Sequence, residues 1–100
     1  MIFRGTRTEE GCVVTVDGAP LDPRLDLFNH SPTGFEWGYA GSGPAQLSLA
    51  ILAMLMDDEV AVRLHQKFKF DFISPLSRDE DWELRSDQVH EWLKTKGAEV

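Results

Sequence analysis

The sequence predicts an α+β domain in which an N-terminal antiparallel hairpin or small sheet packs against two or three helices. Three observations carry this expectation. β-branched residues crowd the first sixteen positions. Apolar residues recur at helical spacing from Leu47 onward. A stretch rich in glycine and proline, with neither pattern, separates the two regions. A chain of 100 residues is the size of one domain, here 1–100.

Ile2 to Arg7 reads as a first strand and Cys12 to Val16 as a second, the latter dense in Val and Thr. Glu9-Glu10-Gly11 between them reads as a hairpin turn, and Asp17-Gly18 as a second turn. Pro20 and Pro23 then stop regular structure from continuing. Residues 25–43 interleave glycines, aromatics and short polar side chains. Within them Phe35, Trp37 and Tyr39 alternate, which predicts a short strand with all three on one face.

Pro44 suits the first position of a helix, with Ser42 or Gly43 as its N-cap. Leu47, Ala50, Ile51, Met54 and Leu55 form a helical stripe, which Leu49 and Leu52 widen, so this helix is expected to be central and largely buried. Asp57-Asp58-Glu59 closes it and opens a second helix, where acidic residues suit the dipole. Val60, Ala61, Leu64, Phe68 and Phe72 fit a helix face, whereas residues 67–72 alternate like a strand. Both readings of 67–73 stand, with a helix to about residue 73 preferred. Trp82-Glu83-Leu84 reads as a short strand. Ser86 caps a last helix whose apolar face is Val89, Trp92 and Leu93, with Lys94 and Lys96 at its C-terminal end.

Composition bounds the function. The chain is 42% hydrophobic and carries a net charge of −7. That charge repels phosphate backbones, so direct nucleic-acid binding is not expected and a protein partner with a basic surface is. The apolar run at 47–56 is about half the roughly 20 residues a membrane span requires. The N-terminus, interrupted by Arg4 and Arg7, reads as a strand rather than a secretory leader, so the expected compartment is the cytoplasm. The single cysteine, Cys12, lies in an apolar strand and reads as a buried, inert thiol.

Candidate chemistry is sparse. Gly41-Ser42-Gly43-Pro44 opens a helix, where free N–H groups can hold an anion, but it matches neither a phosphate loop nor a dinucleotide fingerprint. His30, His65 and His90 show no metal-ligand spacing, and His65 and His90 are expected on helix surfaces. No metal, cofactor or catalytic residue is assigned. His30, Ser31 and Glu36 are close enough in sequence for one loop to assemble an acid–base site, and that is the alternative to a binding role. Asn29, His30, Ser31 and Thr33 also suit hydrogen bonds to the loop's own backbone. Trp37 and Tyr39 read either as core or as exposed anchors; Trp82 and Trp92 read as core.

Three stretches resemble a known family: Thr15-Val-Asp-Gly, Pro20-Leu-Asp-Pro-Arg, and Asn29-His-Ser-Pro-Thr-Gly-Phe-Glu-Trp-Gly-Tyr-Ala-Gly-Ser-Gly-Pro-Ala-Gln-Leu. Leu64-His-Gln-Lys-Phe-Lys and the Trp82-to-Leu93 segment are similar too. The family consists of small bacterial and mobile-element proteins known only as a domain of unknown function. The resemblance implies kinship and a mobile-element setting, and carries over no catalytic residue. Its members usually have more polar residues where Met54-Leu55-Met56 stands, which leaves a contact surface or a homodimer open there.

The expected function is therefore a small acidic binding protein, phage- or plasmid-encoded, that covers a basic surface on a larger protein, as an inhibitor of a host defence system such as CRISPR-Cas would. The expected contacts are Asn29, His30, Ser31, Glu36, Trp37, Tyr39 and Ser42 from the loop, with Asp57, Asp58, Glu59, Asp79, Glu80 and Asp81 as acidic contacts.

Overall fold

The computed structural model describes residues 1–96. Strands β1 (Ile2–Thr8), β2 (Gly11–Val16), β3 (Ala19–Pro20) and β4 (Trp82–Arg85) form an antiparallel sheet in the order β3-β2-β1-β4. Helices α1 (Ser42–Leu55), α2 (Asp58–Phe68) and α3 (Ser86–Thr95) cover it, and a π-helical turn, Lys69–Ile73, extends α2. The α+β architecture expected from the sequence is the one observed.

The hairpin follows from turn chemistry. Thr8 pairs with Gly11 across a two-residue turn at Glu9-Glu10. Val16 pairs with Ala19 across Asp17-Gly18, both at positive φ (49° and 84°), the geometry that matches strand twist. Asp17 also tightens the sheet, since its carboxylate accepts from the Ile2 N–H at 2.7 Å. The proline brake acts later than the sequence implies. Pro20 still pairs with Thr15, because it lies on an edge strand that asks nothing of its missing N–H.

Gly5 illustrates how close the layers lie. It pairs with Trp82, and a Cβ on Gly5 would fall 2.2 Å from the indole nitrogen. The ring crosses Trp37 edge-on at 5.7 Å. Gly5→Ala must push this ring aside, and unfolding in denaturant should show a loss of about 1–3 kcal/mol. An unchanged midpoint would contradict the packing described.

Helix α1 is buried continuously from Gly43 to Leu52, so it is a central rod rather than an amphipathic surface helix. Each fully buried Leu or Ile along it contributes roughly 1.5–3 kcal/mol. Its start differs from expectation. Gly41 is the N-cap and Pro44 the third helical residue, a position whose N–H has no intrahelical acceptor in any case. Likewise Arg85, not Ser86, caps α3, and the Gln88 side chain accepts from its N–H at 2.9 Å.

The segment 67–73 is helical. Phe68 is fully buried, Phe72 partly buried and Phe70 56% exposed, whereas a strand would place all three on one face. The bond from Ser74 N–H to the Lys69 carbonyl (2.8 Å) spans five residues and defines the π turn. That extra residue brings Ile73 into the core. Phe68 also meets Trp92 of α3 edge-on at 5.2 Å, and the Trp92 indole N–H donates to Asp71 at 2.7 Å.

Two expectations fail here. No strand forms at residues 35–39: Gly38, at φ 85°, turns the backbone, leaving Trp37 fully buried and Tyr39 39% exposed. His65 is not on a surface but 4% exposed, because it shares the face of Ala61 and Phe68. Cys12, expected to be buried, is half-buried, and that partial burial pushes its thiol up.

Candidate functional site

The most distinctive feature is how the connection from β3 to α1 is held. Gln46 of α1 is fully buried, yet every hydrogen-bonding direction of its amide is used. Its oxygen accepts from the His30 and Ser31 N–H groups at 2.8 and 3.1 Å. Its nitrogen donates to the Pro23 and Phe28 carbonyls at 2.6 and 3.0 Å. One neutral side chain thus replaces the secondary structure this loop lacks. The Ser31 hydroxyl then donates to the Gly34 carbonyl at 2.8 Å, closing the next turn.

A second tie reaches α2. His30 Nε2 lies 2.8 Å from His65 Nε2, and His65 Nδ1 lies 2.7 Å from the Val62 carbonyl. A carbonyl can only accept, so His65 Nδ1 carries a proton. Its Nε2 therefore accepts, and His30 Nε2–H donates. Burial, foremost, holds both imidazoles below the ordinary histidine range, and Lys69 pushes the same way. Phe28 stacks on His30 at 4.2 Å.

The two ends of the loop are clamped by arginines. Arg24 bonds Asp26 at 3.0 and 3.1 Å and Asp58 of α2 at 3.0 Å, joining the loop's first part to the start of α2. At the other end Arg7 of β1 grips Glu36 with two bonds, at 3.0 and 2.8 Å, donates to the Arg78 carbonyl at 2.7 Å, and lies 4.9 Å from the centre of the Trp37 ring. The Arg7 guanidinium holds the Glu36 carboxyl below its usual range. Arg78 in turn covers Tyr39 at 4.8 Å.

This geometry sorts the sequence candidates. Asn29, Tyr39 and Ser42 are exposed, His30 and Glu36 half-buried, and Ser31 and Trp37 buried. Trp37 is thus core and not a contact. His30 and Glu36 are not brought together as an acid–base pair, since each is committed to a different partner, His65 and Arg7. The glycine-rich turn is also occupied: Glu36 packs on Gly43 and the Tyr39 ring on Gly41. An acidic side chain in that place disfavours an anion. Asp57, Asp58 and Glu59 are exposed beside the Arg24 clamp, and Asp79, Glu80 and Asp81 are exposed beyond Arg78. Leu25 and Phe28 of the loop are exposed as well. Leu55 and Met56 pack partly against the core, leaving Met54 as the exposed residue of that trio.

Residues not anticipated are Gln46, Arg7, Lys69 and Phe28. A signal existed for the first, a single amide between Ala45 and Leu47 in a helix whose other polar residues are only Ser42 and Ser48. Among the described residues, no helix is long and apolar enough to cross a membrane. No curated protein and no solved structure matches the chain. A family model does match, over residues 3–95, and the chain belongs to that family, the family of unknown function DUF6166.

Proposed function

We propose that the chain is a non-enzymatic binding protein that uses the loop from residue 22 to residue 41 to cover a basic surface of a larger protein. The observation that carries this reading is a loop anchored through a fully bonded, buried glutamine while Leu25, Phe28 and Tyr39 stay exposed. Such anchoring lowers the ordering cost of binding. Exposed aromatic side chains are what binding hot spots use. Acidic groups border both ends, and among the described residues Asp57, Glu59, Asp79, Glu80 and Asp81 have no ion-pair partner. They would steer a basic partner to the aromatic anchors.

Size and a net charge of −7 also suit an inhibitor carried by a phage or plasmid and aimed at a nucleic-acid channel, such as that of a CRISPR effector. The test is affinity capture with the intact chain as bait at low and moderate salt. A stoichiometric partner is expected. Phe28→Ala should weaken it by about 2 kcal/mol, roughly 30-fold. Neutralising Asp57 and Glu59 should weaken it mainly at low salt. A partner that ignores all these changes, or none at either salt, would overturn the reading.

A further inference from the structure

We propose that the His30–His65 contact is a proton-operated catch, which holds the side-chain tip of the loop, the His30 imidazole with the Phe28 ring stacked on it, against α2 at neutral pH and releases it in mild acid. The contact has a direction. His65 must present a lone pair at Nε2, because its Nδ1–H is committed to the Val62 carbonyl. A proton taken up at His30 Nδ1 leaves the bond standing. With that nitrogen filled the proton between the rings can sit on either Nε2, and only a second proton, which fills both, sets two donors 2.8 Å apart and breaks the bond.

The surroundings offer no compensation. From the loop, the neighbour is the Phe28 ring, stacked on His30. From α1 it is Gln46, neutral and already saturated. From α2 the backbone carbonyl of Val62 is engaged, and from the π turn comes Lys69, 8% exposed, a third positive charge. Among the described residues no carboxylate lies within ion-pair distance of either imidazole; Asp26 and Asp58 are held by Arg24. Both rings therefore bind protons less readily than a free histidine, whose value is 6.5. The sign follows. The folded form binds fewer protons than the unfolded one, so the contribution is complete above 6.5 and is lost as pH falls through the lowered folded values. The lowered carboxyls Asp26, Glu36 and Asp71 act in a separate range, below their ordinary values of 3.8, 4.5 and 3.8.

The backbone of the loop should not move with these rings, because Gln46, which bonds Phe28, His30 and Ser31, does not titrate. Acid would thus free the exposed Phe28 ring without unfolding the domain. This inference concerns the chain alone and stands whether or not the proposed partner exists.

The test is an NMR titration of the intact chain from pH 8 to pH 5, following the two imidazoles and the backbone amides. The Phe28 and His30 ring resonances should shift as the second proton enters the pair, below 6.5, and the released population should grow roughly tenfold or more per pH unit above that step. Ser31 and the β1 amides should stay in place. In His65→Gln the amide oxygen can still accept from His30 yet does not titrate, so the tip should remain docked at pH 5. Tip resonances that ignore pH in the wild-type chain, or a tip that leaves as readily in His65→Gln, would overturn the proposal. The wild-type titration decides alone if that variant does not fold.

Discussion

Gln46→Leu is expected to lower unfolding free energy by about 3–5 kcal/mol, although leucine matches its volume and the helix loses nothing in propensity. The reason is what the amide leaves behind. The His30 and Ser31 N–H groups and the Pro23 and Phe28 carbonyls would lose their partner at once, in sites that are wholly or partly out of water. Each such group costs roughly 1–3 kcal/mol when unpaired, and partial access to water keeps the sum below the maximum. Gln46→Glu should rescue little. Its oxygens could still serve the two N–H groups, but a negative charge would then face two carbonyl oxygens without a cation. Denaturant unfolding of the three proteins measures this. A leucine variant within about 0.5 kcal/mol of wild type, the range of an ordinary surface change, would refute the anchoring role.

Trp37→Ala is expected to cost about 3–5 kcal/mol, the usual range for removing a buried aromatic ring. Trp37 is fully buried, supports Trp82 edge-on and underlies the Arg7 guanidinium. Among the described residues its indole N–H has no hydrogen-bond partner, so Trp37→Phe removes volume but no polar contact and should cost much less. Tyr39→Ala and Phe28→Ala, at exposed rings, should each cost under about 1 kcal/mol. The contrast separates two aromatics that alternate in sequence but serve different ends. If Trp37→Ala left stability intact while abolishing binding, Trp37 would be a contact and the burial account would fail. In a small domain with a total of about 5–10 kcal/mol, either Gln46→Leu or Trp37→Ala approaches unfolding at physiological temperature.

Those pairs of outcomes also mark where the sequence was legible. The strands, the two turns and α1 follow from local rules: β-branched runs, Asp17-Gly18, and an apolar run too dense for a surface helix. Residues 67–73 looked ambiguous because Phe68, Phe70 and Phe72 alternate. A strand and a helix with a π turn both accept that spacing, and only the tertiary contacts of Phe68 and Asp71 with Trp92 select the helix. The false strand at 35–39 arose in the same way, since period two is satisfied by three aromatics whichever way Gly38 turns the chain.

The site was less legible than the fold because its ties are long-range. Arg7 reaches Glu36, Arg24 reaches Asp58, and His30 reaches His65 across 35 positions. No local pattern encodes such pairs. His65 was within reach, however: it lies four residues after Ala61 and three before Phe68, so the helical face that marked those two as buried includes it. The sequence grouped His30 with Glu36 by proximity along the chain, and the backbone turns between them give each a different partner.

The Gln46 bonds predict that a loop without regular structure is fixed as firmly as the helix that anchors it. Native-state amide exchange measures this most directly, at the His30 and Ser31 N–H groups bonded to Gln46. Protection of both at the level of the interior amides of α1, lost in Gln46→Leu under conditions where that variant remains folded, is the predicted result. Exchange of those two amides at the rate of an unstructured peptide in the wild-type chain would contradict it.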